Sequence, residues 1–167
     1  MDGTPNARSR SFSWQDPALI AAKIGRVSGL EYLQMVVRGE IRAPIQDALD
    51  YSLDHVEEGL SRWTLNVQEF HYNPAGTLHG GVMATMLDSA TSVAIWTTLP
   101  AGVAWTSIEL KSTYVRSATK ATGKLFCEGR VINVGRRVGL AEARLSDAEG
   151  KLYAHGVSTC MIDRPKS

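Results

Sequence analysis

The chain has 167 residues, 44% of them hydrophobic and 21% charged, with a formal net charge of +1. This is one domain's worth of chain with ordinary globular composition and enough apolar side chains for a core. The near-neutral balance excludes a general attraction to nucleic acid, though not a local basic patch.

Residues 1–16 are polar and lack an apolar run, so no signal peptide is expected there, only a disordered or loosely docked flexible arm. From Pro17 the pattern turns helical. Ala18, Leu19, Ala21, Ala22 and Ile24 fit one short helix. Leu30, Leu33, Val36 and Val37 fit a second, with Ser28 as N-cap and Gly39 and Pro44 as bounds. Residues 45–49 add a turn. Residues 17–49 thus read as a helical N-terminal extension to a main domain over 50–163.

After Asp50 the period changes. Residues 51–67 read as two strands around Glu57-Glu58-Gly59, with Trp63, Leu65 and Val67 alternating. A loop over 73–81 leads into a long helix over about 80–98, ended by Pro100 and Gly102. The run from Val82 to Leu99 is apolar enough to suggest a membrane span. It holds Asp88 and several hydroxyls, and it only reaches the lower limit of the roughly 17–25 residues a span needs, so a buried helix and no membrane partner are expected. Four strands follow, over 105–118, 122–134, 137–147 and 151–163. Turn signals at 134–136 and 147–150 suggest an antiparallel meander. A helix apolar on nearly every side must be surrounded, and a curved antiparallel sheet does this. The sheet's far face and edges then need the N-terminal helices or another subunit.

Cys127 and Cys160 are far apart, with no Cys or His partner at metal spacing. They are expected to be buried free thiols, with no metal site, in a reducing, cytoplasmic compartment.

The loop reads N-x-x-G-x-x-H-G-G, with Asn73, Gly76, His79, Gly80 and Gly81. Glycines at a helix start let a ligand approach the backbone, and the first helical N–H groups have no intrahelical partner. The helix dipole adds positive potential there. Such an end suits an oxygen that gains negative charge in acyl transfer, and Asn73 can supply a side-chain N–H to it. The bland alternative is a glycine turn capped by His79 or Thr77. Asp88 shifts the balance, because it is the only charged residue between Glu69 and Glu109. An ionised carboxylate in an apolar setting is costly unless paired or wet. A structural Asp88 would bond Thr85 or Ser92, or face solvent.

Asp88 lies eight residues beyond Gly80, roughly 12 Å along the helix at about 1.5 Å per residue. One chain does not bring both to one carbonyl carbon. Two antiparallel helices of a symmetric dimer do, so a catalytic role for both requires at least a dimer.

The run from Asn73 to Asp88 resembles the hotdog-fold acyl-CoA thioesterases of the phenylacetate-degradation type. The likeness continues through residues 106–111, through Val134-Gly135-Arg136-Arg137, and into the last strand. It implies an α+β hotdog fold, an antiparallel sheet wrapped around one long central helix, here with extra N-terminal helices. It also implies a homodimer or dimer-of-dimers homotetramer that hydrolyses acyl-CoA, with coenzyme A as part of the substrate and no separate cofactor. By the resemblance, Asp88 is general base or nucleophile, Asn73 and Gly80 polarise the carbonyl, and Ser107 or Thr106 places the water. His79 orders the loop beside the site. Gly81, Thr106, Val134, Gly135, Arg136 and Arg137 are expected to bind substrate, since Arg forks suit phosphates. Lys111 and Arg116 are weaker candidates of that kind, and His155 reads as packing.

Other readings stay open. A serine hydrolase is disfavoured, because Gly25-Arg26-Val27-Ser28-Gly29 only approaches G-x-S-x-G. The alternatives on the same fold are an acyl-thioester hydratase or dehydratase and a non-catalytic acyl-CoA-binding protein. Trp96, Trp105, Met83 and Met86 are candidate acyl-pocket walls, though such residues at helical spacing are more often plain core.

Overall fold

Local chemistry sets the N-terminal elements. Helix α1 spans Pro17–Ala21 and α2 spans Gly29–Val37. Ser28 caps α2 as its position suggests: its Oγ accepts from the Glu31 N–H, and the Glu31 carboxylate accepts from the Ser28 N–H. Proline at the first turn starts α3, Pro44–Leu49. The computed structural model describes residues 7–165 of the chain, so the expectations for residues 1–6 lie outside the described residues. Residues 7–16, expected as a loose arm, form no regular element and touch the surface at Arg10 and Gln15. Arg10 donates to the Ala48 and Asp47 carbonyls and lies 4.2 Å over the Phe70 ring, and Gln15 accepts from the Arg42 N–H.

Strands β1 (Tyr51–Glu57) and β2 (Leu60–Asn66) form the expected hairpin, and α4 spans Gly80–Trp96. Strands β3 (Ala104–Tyr114), β4 (Lys124–Val134), β5 (Val138–Asp147) and β6 (Leu152–Asp163) complete one sheet. Its order is β1-β2-β4-β5-β6-β3, with every pair antiparallel. The expected meander therefore needs correction. It holds for β4–β6, but β3 pairs with β6, setting Leu110 opposite Ser158. At the far edge β3 extends the sheet round α4. The turn residues that reveal hairpins say nothing about a partner some 50 residues away.

Helix α4 buries Met83, Met86, Leu87, Ala90, Val93 and Ile95 against this sheet. Each such large side chain contributes about 1.5–3 kcal/mol by leaving water. Small residues bring the layers close. A β-carbon on Gly129 would stand 2.1 Å from the Ala90 carbonyl oxygen. Likewise Gly29 seats α2 on the end of α4: its N–H donates to the Leu99 carbonyl at 2.9 Å, and a β-carbon there would lie 1.9 Å from the Trp96 oxygen. Tyr32 packs on Trp96, which stacks on Trp105 at 3.9 Å. No helix among the described residues is long and apolar enough to cross a membrane.

Candidate active site

The loop into α4 is held by its own polar side chains. Asn73 Oδ1 accepts from the Ala75 and Thr77 N–H groups, which turns Nδ2 the other way. That nitrogen donates to Thr77 Oγ1 at 3.1 Å and keeps a second proton. His79 is the N-cap of α4, where its Nδ1 accepts from the Gly81 N–H at 2.8 Å. The Gly81 N–H is thus committed to the cap. The Gly80 N–H makes no hydrogen bond among the described residues. Gly80 and Asn73 both line a cleft of about 430 Å³, with Met83, Tyr114 and Arg116 around them. The Tyr114 ring lies against the place where a Gly80 side chain would be, 3.5 Å away.

Buried His71 braces this loop from below. Its Nδ1 accepts from the Gln68 N–H at 3.0 Å, which leaves Nε2–H to donate to the Leu49 carbonyl at 2.7 Å. Its own carbonyl accepts from the His79 N–H at 2.9 Å. Burial holds the His71 pKa below the ordinary histidine value, with the Leu49 bond opposing. Protonation costs less in the unfolded chain, so stability is present above the ordinary value of about 6.5 and is lost as pH falls through it. Thermal melts should show Tm falling below about pH 6.5, with a His71→Asn variant starting lower and losing less over the same range.

Asp88 is half-buried on a stripe of α4 that also carries Gly81, Thr85 and Ser92, the side the sheet leaves partly open. Thr85 and Ser92 spend their hydroxyls on helix carbonyls, so neither serves the Asp88 carboxylate. That carboxylate has no hydrogen bond or ion pair among the described residues, and it keeps access to solvent. Strand alternation turns Ser107 towards the helix, 3.8 Å from Cys160 Sγ, while Thr106 points outward and is exposed. Burial raises the Cys160 pKa; the Ser107 bond opposes this, and the Asp88 charge adds to the rise. Asp88, Ser107 and Cys160 therefore share one neighbourhood. Burial likewise raises the Tyr51 pKa, with the Ser89 bond opposing and Asp88 adding. The sequence did not place Tyr51 or Cys160 near Asp88, because strands distant along the chain bring them there.

The structure does not bring all the expected site residues together. Within one chain, the cleft at Asn73 and Gly80 lies roughly two helical turns from Asp88. Arg136 and Arg137 are exposed at the turn between β4 and β5, beside Val134 and Gly135, where Gly135 donates its N–H to the Val138 carbonyl. Lys111 and Arg116 are exposed, and His155 faces Glu142 at 3.3 Å. Among the described residues no group of three or more His, Cys, Asp or Glu side chains is placed to hold a metal ion.

A long helix wrapped by an open antiparallel sheet, with an open helix start and a lone carboxylate, is the arrangement of a hotdog-fold thioester hydrolase. Residues 75–154 match the thioesterase superfamily. Mouse acyl-coenzyme A thioesterase 13 is 32% identical over 96 residues, 57% of this chain and 67% of that protein. A 1,4-dihydroxy-2-naphthoyl-CoA hydrolase of Listeria monocytogenes is 25% identical over 118 residues, 71% of this chain and 93% of that one. The crystal structure of a phenylacetic-acid-degradation-related protein of Ralstonia eutropha superposes with a TM-score of 0.69 at 28% identity, covering 78% of this chain and 98% of that one. The chain belongs to the thioesterase superfamily.

Proposed function

We propose that the protein hydrolyses thioesters between an acyl or aryl-acyl group and coenzyme A, at sites shared by two protomers. The observation that carries this reading is the Asp88 carboxylate on the open side of α4, alongside the Gly80 N–H two turns away, both without a partner among the described residues. A single chain holds the two too far apart for one carbonyl. An antiparallel second copy brings one chain's Asp88 to the other's helix start. Strand β3 suits such pairing: it is an eleven-residue edge strand whose outer side is unpaired, with Ile108 58% exposed and Tyr114 49% exposed. Two such dimers then pair as a tetramer.

In this scheme the thioester oxygen takes hydrogen bonds from the Gly80 N–H and the free proton of Asn73 Nδ2. Asp88 of the other protomer accepts a proton from a water that Ser107 helps to place. The water oxygen bonds to the carbonyl carbon, the C–S bond breaks, and the sulfur leaves as thiolate to be protonated. His79 fixes the loop through Gly81 rather than moving protons. Arg136 and Arg137 contact the coenzyme A phosphates, so KM should rise with salt and more steeply in the native protein than in an R136A/R137A variant. The two free, buried thiols suit a reducing cytoplasmic setting.

Subunit mixing tests the shared site. Asn73→Ala and Asp88→Asn proteins should each be nearly inactive. In a refolded equal mixture, half the dimers are mixed and each carries one intact site. Released thiol should then recover to about a quarter of native activity. No recovery, with mixed dimers shown to form, would refute the cross-protomer arrangement.

A further inference from the structure

Helix α4 and the two residues after it carry several hydroxyls, and nearly all turn back on the helix. Thr85, Thr91, Ser92, Thr97 and Thr98 donate to helix carbonyls at 2.7 to 3.0 Å. Ser89 departs from this. Its Oγ lies 3.0 Å from Tyr51 Oη, at the start of β1. Tyr51 is 2% exposed and packs on the Trp63 ring at 5.1 Å. Neither hydroxyl has a second partner among the described residues. Two O–H groups therefore share one hydrogen bond, and one proton is left to give.

The acidic claimant for that proton is Asp88. Asp88 precedes Ser89 on α4, so the carboxylate and the Ser89–Tyr51 pair share one turn of the helix, and the Asp88 charge acts on Tyr51. A phenol near a carboxylate that has no partner among the described residues gains by turning its proton towards it, through a water held between the two. Ser89 then donates to Tyr51, and each bond polarises the next.

We propose that Tyr51, held by Ser89, is a positioning residue for Asp88: its hydroxyl donates through a bridging water to one carboxylate oxygen and leaves the other free to accept from the hydrolytic water. This rests on Asp88 acting as the base. The chain runs Ser89 O–H to Tyr51 Oη, then Tyr51 O–H to the bridging water. No bond is made or broken in it, so it orients the carboxylate without taking part in the proton transfer. The burial that raises the Tyr51 pKa keeps its proton in place at ordinary pH.

The test uses the full-length protein and whichever acyl-CoA the native enzyme cleaves, followed by thiol release. Tyr51→Phe keeps the ring and removes the donor. It should lower kcat by up to about tenfold, the upper end for one neutral hydrogen bond, with KM within about twofold. Ser89→Ala should lower kcat by a smaller factor. The double variant should be no worse than Tyr51→Phe alone, because the two act as one unit. Native kcat in Tyr51→Phe beside an inactive Asp88→Asn would overturn this inference and leave the hydrolytic reading standing. Equal losses in kcat and Tm that add in the double variant would mark a merely structural pair and also overturn it. An active Asp88→Asn would overturn both. Should Tyr51→Phe fail to fold, Ser89→Ala, at a half-buried helix position, carries the test: unchanged kcat there refutes the relay.

Discussion

Asp88→Asn is expected to lower kcat for thiol release by about a thousandfold, within the roughly 10²–10⁴ range of general-base catalysis. KM should move little, because the carboxylate's work falls in the transition state and not in holding the nucleotide. Tm should stay level or rise. Asp88 has no hydrogen bond or ion pair among the described residues to lose, and an amide of the same shape avoids the cost of holding a charge at a half-buried site. Steady-state kinetics and a thermal melt on one preparation decide the matter. A variant that melts lower and hydrolyses normally would make Asp88 a fold residue, and the catalytic assignment would fall.

The second large effect concerns packing. Gly129→Ala should destabilise the protein by about 3 kcal/mol or more, at or beyond the usual cost of overpacking. The added carbon would stand 2.1 Å from the Ala90 oxygen and 2.4 Å from its carbonyl carbon. Both are backbone atoms, so no side-chain rotation relieves the contact, and α4 must lift off β4. For a chain of this size that predicts a Tm lower by roughly 6–12 °C. Ala90 is two residues from Asp88, so any surviving folded protein should also lose kcat. An Arg130→Ala control at the exposed neighbouring position should melt within a degree or two of the native protein.

Much of the architecture was legible because it is local. The apolar run of α4, its glycine-flanked start, the Ser28 cap and the turns at 134–136 and 147–150 are written in contiguous residues, and the structure places elements there. The family resemblance left Ser107 and Thr106 as alternatives; the two fall on opposite faces of the strand, and the structure turns Ser107 inward. What the sequence hid is non-local. The pairing of β3 with β6, the approach of Tyr51 to Ser89 and the seating of Gly29 on Trp96 each join distant segments. A glycine chosen for closeness looks in sequence like one chosen for a turn. The outward Asp88 was readable as a misplaced charge, but the groups around it depend on how far the sheet curls.

Cys127 and Cys160 are both fully enclosed, and burial raises the pKa of each. A disulfide reagent added to count the coenzyme released during turnover will therefore see product sulfur and not protein sulfur while the fold is closed. Any slow extra colour without substrate would be a clock for whole-chain opening, built into the enzyme and needing no label.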